Sequence, residues 1–343
     1  MTRRADTPSP KRRARPTMED VARAANVSKP TVSRVLSNSP LVTAETRERV
    51  LSAARAQGYA VNRNAQKLRQ ERANTIAVVL DFESHRHGAI GDPFIFELLA
   101  GVSEALSVRE IDLLLSPAGL DSVEGFVELH RARGADGFIV LGQGTRETML
   151  INVARAGVPI VVWGAVHAVS DYCAVGTDNF LGGQLAGERF LAHCRTRWLF
   201  VGDIAHEELR LRHQGLAAMA ASNSVVQLDQ LPIESLAFTS VQAAAERYVE
   251  TSGLPDAVFA FSDTAAMAVI GAFARCGHQT PRDYSLVGYN DIPPAAHFTP
   301  ALTTIEQPTG VAGAMMVEKL IQLLDGRRPK SVMLPTRLVE RTT

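Results

Sequence analysis

At 343 residues, with 46% hydrophobic and 21% charged side chains, the chain has an ordinary globular composition and room for two or three domains. Its formal net charge of +0 hides a segregation: residues 1–72 carry 16 Lys and Arg against 6 Asp and Glu, a net of +10, and the remaining 271 carry a net of −10. A basic head on an acidic body points to a polyanion partner at one end, whereas no run reaches the roughly 18 apolar residues of a membrane span and no apolar segment follows Arg3 and Arg4 as in a secretory signal.

In chain order, residues 1–16 (MTRRADTPSPKRRARP) are polar, basic and Pro-containing, and read as a disordered arm. Residues 18–36 read as two short helices joined by a tight turn, with Val21, Ala22, Ala25 and Val27, then Val32, Val35 and Leu36, forming one buried stripe on each. Ser28 is placed to cap the second helix, and Pro30 falls in its first turn, where a missing N–H costs nothing. Lys29, Thr31, Ser33 and Arg34 remain on the outer face, donors and cations suited to phosphates and base edges, as in a helix-turn-helix whose second helix enters the major groove. On these residues alone, an amphipathic pair with an ordinary solvated face is the competing reading. A third helix is expected to be capped by Thr43, buried through Val50, Leu51 and Ala54, and ended by Gly58. Residues 59–69 are short, polar and basic, with one exposed-looking Leu68; such a segment is a marginal helix by itself, or a charged linker.

From Thr75 the pattern changes. Apolar strand-like runs at 76–80, 111–117, 137–141, 159–163, 198–202, 257–261 and 285–289 alternate with helical patterns at 94–109, 123–133, 146–156, 179–193, 208–222, 240–250, 263–276 and 309–325. Near-continuous apolar strands separated by helices form parallel sheets covered on both faces, and so many units predict two doubly wound lobes. Ligands in such folds bind beyond the carboxyl ends of the strands. Signals for catalysis are missing: there is no GxxxxGK[ST], no GxSxG and no HExxH, and Gly142-Gln143-Gly144 lacks the third glycine and the acidic partner of a dinucleotide site. Cys173, Cys194 and Cys276 are widely spaced and form no zinc set with His193, and His85 and His87 sit in a loop without other ligands. No catalytic residue, metal or cofactor is expected, and the cysteines fit a reducing cytoplasm.

The runs DVARAANVSKPTVSRVL, VTAETRERVLSAARAQGY and NRNAQKL resemble the lactose/galactose repressor (LacI/GalR-type) family of bacterial transcription factors. The likeness continues in order through DPFIFELLAGV, GADGFIVL, GVPIVV, VGTDNFLGGQLAGERFL, RLRHQG, PDAVFAFSDTAAMAVIGAFARCG, YSLVGYNDIP and PALTTIEQP. The resemblance implies an all-α helix-turn-helix head and an α/β two-lobed sensor of the type I periplasmic-binding-protein kind. The corresponding division is arm 1–16, DNA-binding domain 17–61, hinge helix and linker 62–73, and effector-binding and dimerisation domain 74–343. Within the last, lobe 1 would comprise 74–164 and 306–330, and lobe 2 165–303 and 332–343. The implied function is a homodimeric, sequence-specific DNA-binding regulator, expected to repress, in the cytoplasm at the nucleoid, switched by a small polar effector with a sugar as the leading class. A nucleobase, nucleoside or phosphorylated metabolite is the alternative effector; a solute-binding or enzymatic protein sharing the sensor fold is the rival from another class.

By the same resemblance, Lys29, Pro30 and Arg34 match base-reading positions, and Thr17, Ser28, Thr31 and Ser33 match positions that contact phosphates or support the helix. Asn62, Gln66 and Leu68 match the hinge, where Leu68 would wedge into the minor groove. Effector contacts fall on Phe94, Arg212, Ser262, Asp263, Asn290 and Gln307. The chain departs from the family's pattern in the head turn, where Asn26 replaces glycine but tolerates the left-handed conformation. In the hinge, Val61 replaces proline and Gln66 replaces arginine. In the sensor, Gly164 and Asn290 stand where sugar-binding relatives often have Asp, and Ser262 where Asn is common.

Overall fold

The computed structural model describes residues 16–36, 39–59, 73–80, 92–116, 120–233 and 235–343. The hinge positions Asn62, Gln66 and Leu68, and the loop with His85 and His87, lie outside the described residues. The chain divides into two compact units, 1–72 and 73–343.

In the first unit, α1 (Met18–Ala24), α2 (Lys29–Leu36) and α3 (Ala44–Ala56) surround one small core. Thr17 and Asp20 form a reciprocal cap at α1: the Thr17 N–H donates to the Asp20 carboxylate at 2.9 Å, and the Asp20 N–H donates to the Thr17 hydroxyl at 3.3 Å. Hydrogen bonds from Thr17 hold the Asp20 carboxyl below the usual range. Asn26 takes φ 51° and turns the chain toward Ser28, whose hydroxyl accepts from the Thr31 N–H at 3.3 Å. Val21, Ala22, Ala25, Val32, Val35, Val50 and Ala54 are buried against one another, with Tyr59 packed at the edge. Leu51, expected in this core, is exposed instead, because the α3 face that meets the pair is spent on Val50 and Ala54.

The second unit holds two six-stranded sheets. The first, in the order β2 (Asp112–Leu115), β1 (Thr75–Leu80), β3 (Gly137–Leu141), β4 (Ile160–Trp163), β5 (Cys173–Thr177) and β11 (Val332–Leu334), is parallel throughout. The second runs β7 (Gln227–Leu231), β6 (Arg197–Val201), β8 (Ala257–Ala260), β9 (Ser285–Asn290), β10 (Thr303–Glu306) and β12 (Arg337–Val339), with β12 antiparallel to β10. Period-two alternation splits β1 between two cores: Ile76, Val78 and Leu80 face one, Ala77 and Val79 the other.

Two boundaries differ from the sequence reading. Residues 173–177, expected in lobe 2, pair with β4 and belong to the first sheet, so the chain leaves lobe 1 after Thr177 rather than after Gly164. Val332–Leu334 likewise returns to β5, and the chain reaches lobe 2 again only at β12. Ala73, placed with the linker, is buried and donates its N–H to Asp136 at 2.6 Å.

Helices cover both sheets: α4 (Pro93–Ser107), α5 (Val123–Arg131), α6 (Glu147–Arg155) and α12 (Thr309–Leu324) in lobe 1, and α7 (Asn179–Ala192), α8 (Glu207–Ala221), α9 (Phe238–Ser252), α10 (Asp263–Arg275) and α11 (Pro293–His297) in lobe 2. The α7–α8 contact is backbone on backbone. A Cβ on Gly183 would stand 2.0 Å from the Arg212 carbonyl oxygen, and one on Gly215 would stand 2.0 Å from that of Phe180. Neither backbone can yield without separating the helices. Gly183→Ala is therefore expected to lower the urea midpoint by the cost of overpacking, about 1–3 kcal/mol. Gly310→Ala, at a position with nothing within 4 Å, should be neutral or mildly stabilising. Equal effects of the two changes would refute the close-approach account.

Candidate functional site

On the head, Thr17, Ser28, Lys29, Pro30 and Arg34 are exposed, and Thr31 and Ser33 are half-buried. The Ser28 and Thr31 hydroxyls lie 2.8 Å apart, engaged with each other at the helix cap. Lys29 Nζ is 3.6 Å from the Glu19 carboxylate, both side chains being well exposed. A pair of that kind is worth about 0–1 kcal/mol and is readily exchanged for a phosphate or base edge.

In the second unit, the carboxyl ends of both sets of strands meet at an open cleft with an internal cavity of about 120 Å³. Leu141 and Gly142 at β3, Trp163 and Gly164 at β4 and Thr177 at β5 border it from the first sheet; Phe261 and Ser262 after β8, Asn290 at β9 and Gln307 after β10 border it from the second. Phe94 and Trp163 form a tilted ring pair with centroids 5.7 Å apart on one wall.

The polar side of the cleft is built on Arg212, which is 7% exposed. Its Nε donates to Asn179 Oδ1 at 2.8 Å, its Nη1 donates to the Phe261 carbonyl oxygen at 2.7 Å, and its guanidinium carbon lies 3.5 Å from the Tyr289 ring centroid. A second chain of bonds runs from lobe to lobe. The Thr177 hydroxyl donates to Gln307 Oε1 at 2.7 Å, Gln307 Nε2 donates to Asn290 Oδ1 at 2.7 Å, and Asn290 Nδ2 reaches Asp92 Oδ2 at 3.5 Å. Asp92 is in turn the cap of α4, accepting from the Phe94 N–H at 3.1 Å.

The structure thus brings Phe94, Arg212, Ser262, Asn290 and Gln307 to one cleft. Within it, the Ser262 hydroxyl is engaged as the cap of α10, accepting from the Ala265 N–H at 3.1 Å. Asp263 does not border the cleft. It is fully buried behind it, where its carboxylate accepts from the Ile292 N–H at 2.9 Å and from the Thr304 hydroxyl at 2.5 Å. It therefore holds the turn that follows Asn290 rather than facing a ligand. Two residues absent from the sequence reading belong to the site: Asn179, which aligns Arg212, and Glu208, which lines the cleft one turn before Arg212. The i, i+4 spacing of Glu208 and Arg212 is the signal that places both on one helix face. Among the described residues no group of three or more His, Cys, Asp and Glu is disposed to hold a metal ion, and no helix is long and apolar enough to cross a membrane.

Comparison with known proteins agrees with this layout. Residues 17–62 match the family of bacterial regulatory proteins of the lacI type, and residues 188–343 match the periplasmic binding protein-like domain. The HTH-type transcriptional regulator CelR of Thermobifida fusca is 30% identical over 344 residues, covering 96% of this chain and 98% of that protein. The structure of a transcriptional regulator CelR–cellobiose complex superimposes with a TM-score of 0.68 at 28% identity, over 96% of this chain and 99% of the other. That of the lac repressor dimer bound to operator and an anti-inducer shares the fold with a TM-score of 0.83 at 24% identity, over 96% and 99%. The chain belongs to the lacI family of bacterial regulatory proteins, a family of DNA-binding transcriptional regulators rather than enzymes.

Asp263 offers a test of its inward role. Burial raises its carboxyl from an ordinary value near 3.8 to about 7, against the lowering effect of Thr304 and Ile292. The folded state therefore holds this proton more tightly than the unfolded chain does. The associated stability is full below about pH 4 and is lost as pH rises through about 7. Asn presents one acceptor and one donor, as the neutral acid does. Denaturation curves of Asp263→Asn and the wild type should accordingly diverge between pH 4 and 7, the wild type losing stability relative to the variant. A difference constant with pH would count against this.

Proposed function

We propose that the protein works as a homodimer that represses transcription from a pseudo-palindromic operator, at the nucleoid in the cytoplasm, and that a sugar or sugar derivative in the inter-lobe cleft sets its operator affinity. The observation that carries the effector class is the pairing, in one cleft, of the Phe94–Trp163 ring wall with the amides of Asn290 and Gln307 and the guanidinium of Arg212. A sugar presents an apolar C–H face and a rim of hydroxyls, which such a wall and such donors complement. The complex of CelR with cellobiose supports the same class. A dimer supplies two recognition helices for two half-sites one helical turn apart. Lys29 and Arg34 read bases, Thr17, Ser28, Thr31 and Ser33 hold phosphates or the helix, Pro30 contributes shape without a side-chain donor, and Asn62, Gln66 and Leu68 serve the hinge, with Leu68 as the minor-groove wedge.

Operator affinity should fall by orders of magnitude between about 50 and 200 mM salt, because several phosphates are contacted, and a flat response would remove the head from the interface. Arg34→Ala should cost about 1–3 kcal/mol and relax base preference at one position in each half-site. Uniform weakening across sequences would instead make it a phosphate contact. For the cleft, operator binding is measured with and without a panel of mono- and disaccharides. A sugar that changes operator affinity while binding the protein supports the reading, and binding without any change in operator affinity defeats the switch.

A further inference from the structure

Neither position where sugar-binding relatives often hold Asp can supply an acid here. Over Gly164, a Cβ would stand 2.7 Å from Gln143 Oε1 and 2.8 Å from Gln143 Cβ, so the fully buried Gln143 side chain occupies the space. Gln143 is itself fixed, its Oε1 accepting from the Ala165 N–H at 3.0 Å. At position 290 the amide accepts from Gln307 and donates toward Asp92, and a carboxylate there would face the Asp92 carboxylate.

The cleft nevertheless contains two acids: Asp92 of lobe 1, which is spent on the α4 cap and on Asn290, and Glu208 of lobe 2. Glu208, in the first turn of α8, lines the cavity. Burial is the main influence raising its pKa, while its own backbone, Arg212 one helical turn on and the backbone of Gln143 in lobe 1 act to lower it. A group donating to Glu208 would thus sit where the two lobes come together. The cation beside it is partly engaged, as Arg212 spends Nε on Asn179, one Nη1 proton on the Phe261 carbonyl and its face on Tyr289. Among the described residues, the ionisable side chains lining the cleft are two carboxylates, Asp92 and Glu208, the guanidinium of Arg212, and the imidazole of His206, whose Nε2 lies 3.8 Å from the Asp203 carboxylate.

We infer that Glu208 is the carboxylate that reads effector hydroxyl or ammonium groups, delivered from lobe 2 in place of the lobe 1 acid, and that the cleft admits neutral or cationic sugars and excludes phosphorylated and carboxylated ones. This rests on the sugar reading of the cleft. A phosphate entering such a site loses its hydration and meets two carboxylates for one partly engaged guanidinium. A hydroxyl or an ammonium donates to Glu208 in a charge-assisted hydrogen bond instead.

The test uses the full chain in thermal-shift and calorimetric titrations with glucose, cellobiose, ribose and glucosamine, set against glucose 6-phosphate and glucuronate. At least one of the first four is expected to bind, and the two anions to bind about ten- to a hundredfold more weakly or not at all. Glu208→Gln, which keeps the length and shape of the side chain, should weaken the bound sugar by about ten- to a hundredfold, the range expected for a lost charge-assisted hydrogen bond. Its melt without ligand checks the fold, and should the variant not fold, the wild-type ranking of neutral against anionic sugars decides. Tight binding of either anion, or unchanged binding by a folded Glu208→Gln, overturns the role of Glu208 and leaves the sugar reading standing. No binding by any of the six overturns both.

Discussion

A buried guanidinium organises lobe 2. Taking Arg212 out of water is unfavourable unless its donors and its charge are matched. The matching groups come from three elements: Asn179 at the start of α7, the Phe261 carbonyl after β8, and the Tyr289 ring on β9. Each must lie within contact distance of one side chain on α8. The α7–α8 contact is correspondingly close, close enough that Gly183 and Gly215 meet the facing backbone directly. Gly182 has the same role toward the ring, since a Cβ there would stand 2.7 Å from the Tyr289 hydroxyl oxygen. The small residues of α7 and the cation of α8 are thus parts of a single arrangement. Its outcome is a polar surface held in place before any ligand arrives, so that binding need not pay for ordering it.

The chain of bonds Thr177–Gln307–Asn290–Asp92 has a different character. Its ends lie in lobe 1 and Asn290 lies in lobe 2, so it spans the division that a two-lobed sensor must flex. It also explains why an amide stands at position 290. An amide accepts from Gln307 and donates toward Asp92 at once, whereas two facing carboxylates would repel. The unusual backbone at Asn290 and Asp291, with φ of 112° and 57°, is held by Asp263 accepting from the Ile292 N–H and by the pair of Asp291 with Arg341 at 2.6 Å. An effector that exchanges partners with this chain has differential affinity for two lobe arrangements, which is what a switch requires.

Much of this was legible in the residues. The head could be read because caps, turn and core lie within a few positions of each other: Thr17, Asn26, Ser28, Thr43 and Gly58 each act locally. The buried strands were visible as apolar runs. The strands that went unseen are those without such a run. β5 is CAVGT, β7 is the half-exposed edge strand QLDQL, β10 is TTIE, and β11 and β12 have three residues each. The cleft was harder to read because the direction of a side chain is decided by packing. Ser262 and Asp263 are neighbours in sequence, yet one caps a helix at the cleft edge and the other turns inward to Thr304. Glu207 and Glu208 look like ordinary acids at a helix N-terminus, favoured by the dipole. Glu207 takes that conventional place beside Arg210, whereas Glu208 lines the cleft.

The segregation of charge gives the two units opposite relations to DNA. A net of +10 on residues 1–72 attracts the phosphate backbone and a net of −10 on the remainder repels it. At physiological salt these fields fade over about 8 Å, so attraction acts at contact, where the α2 face meets the groove. On that face Pro30 has no donor, and in the proposed readout Lys29 would leave Glu19 to bind, at small cost given the exposure of both. Under the proposed head role, affinity would be distributed over many cations, whereas discrimination between bases would fall on few side chains, Arg34 foremost, whose planar fork matches guanine. In the proposed dimer, a readout this narrow would make the geometry of two half-sites a second source of specificity beside the bases themselves.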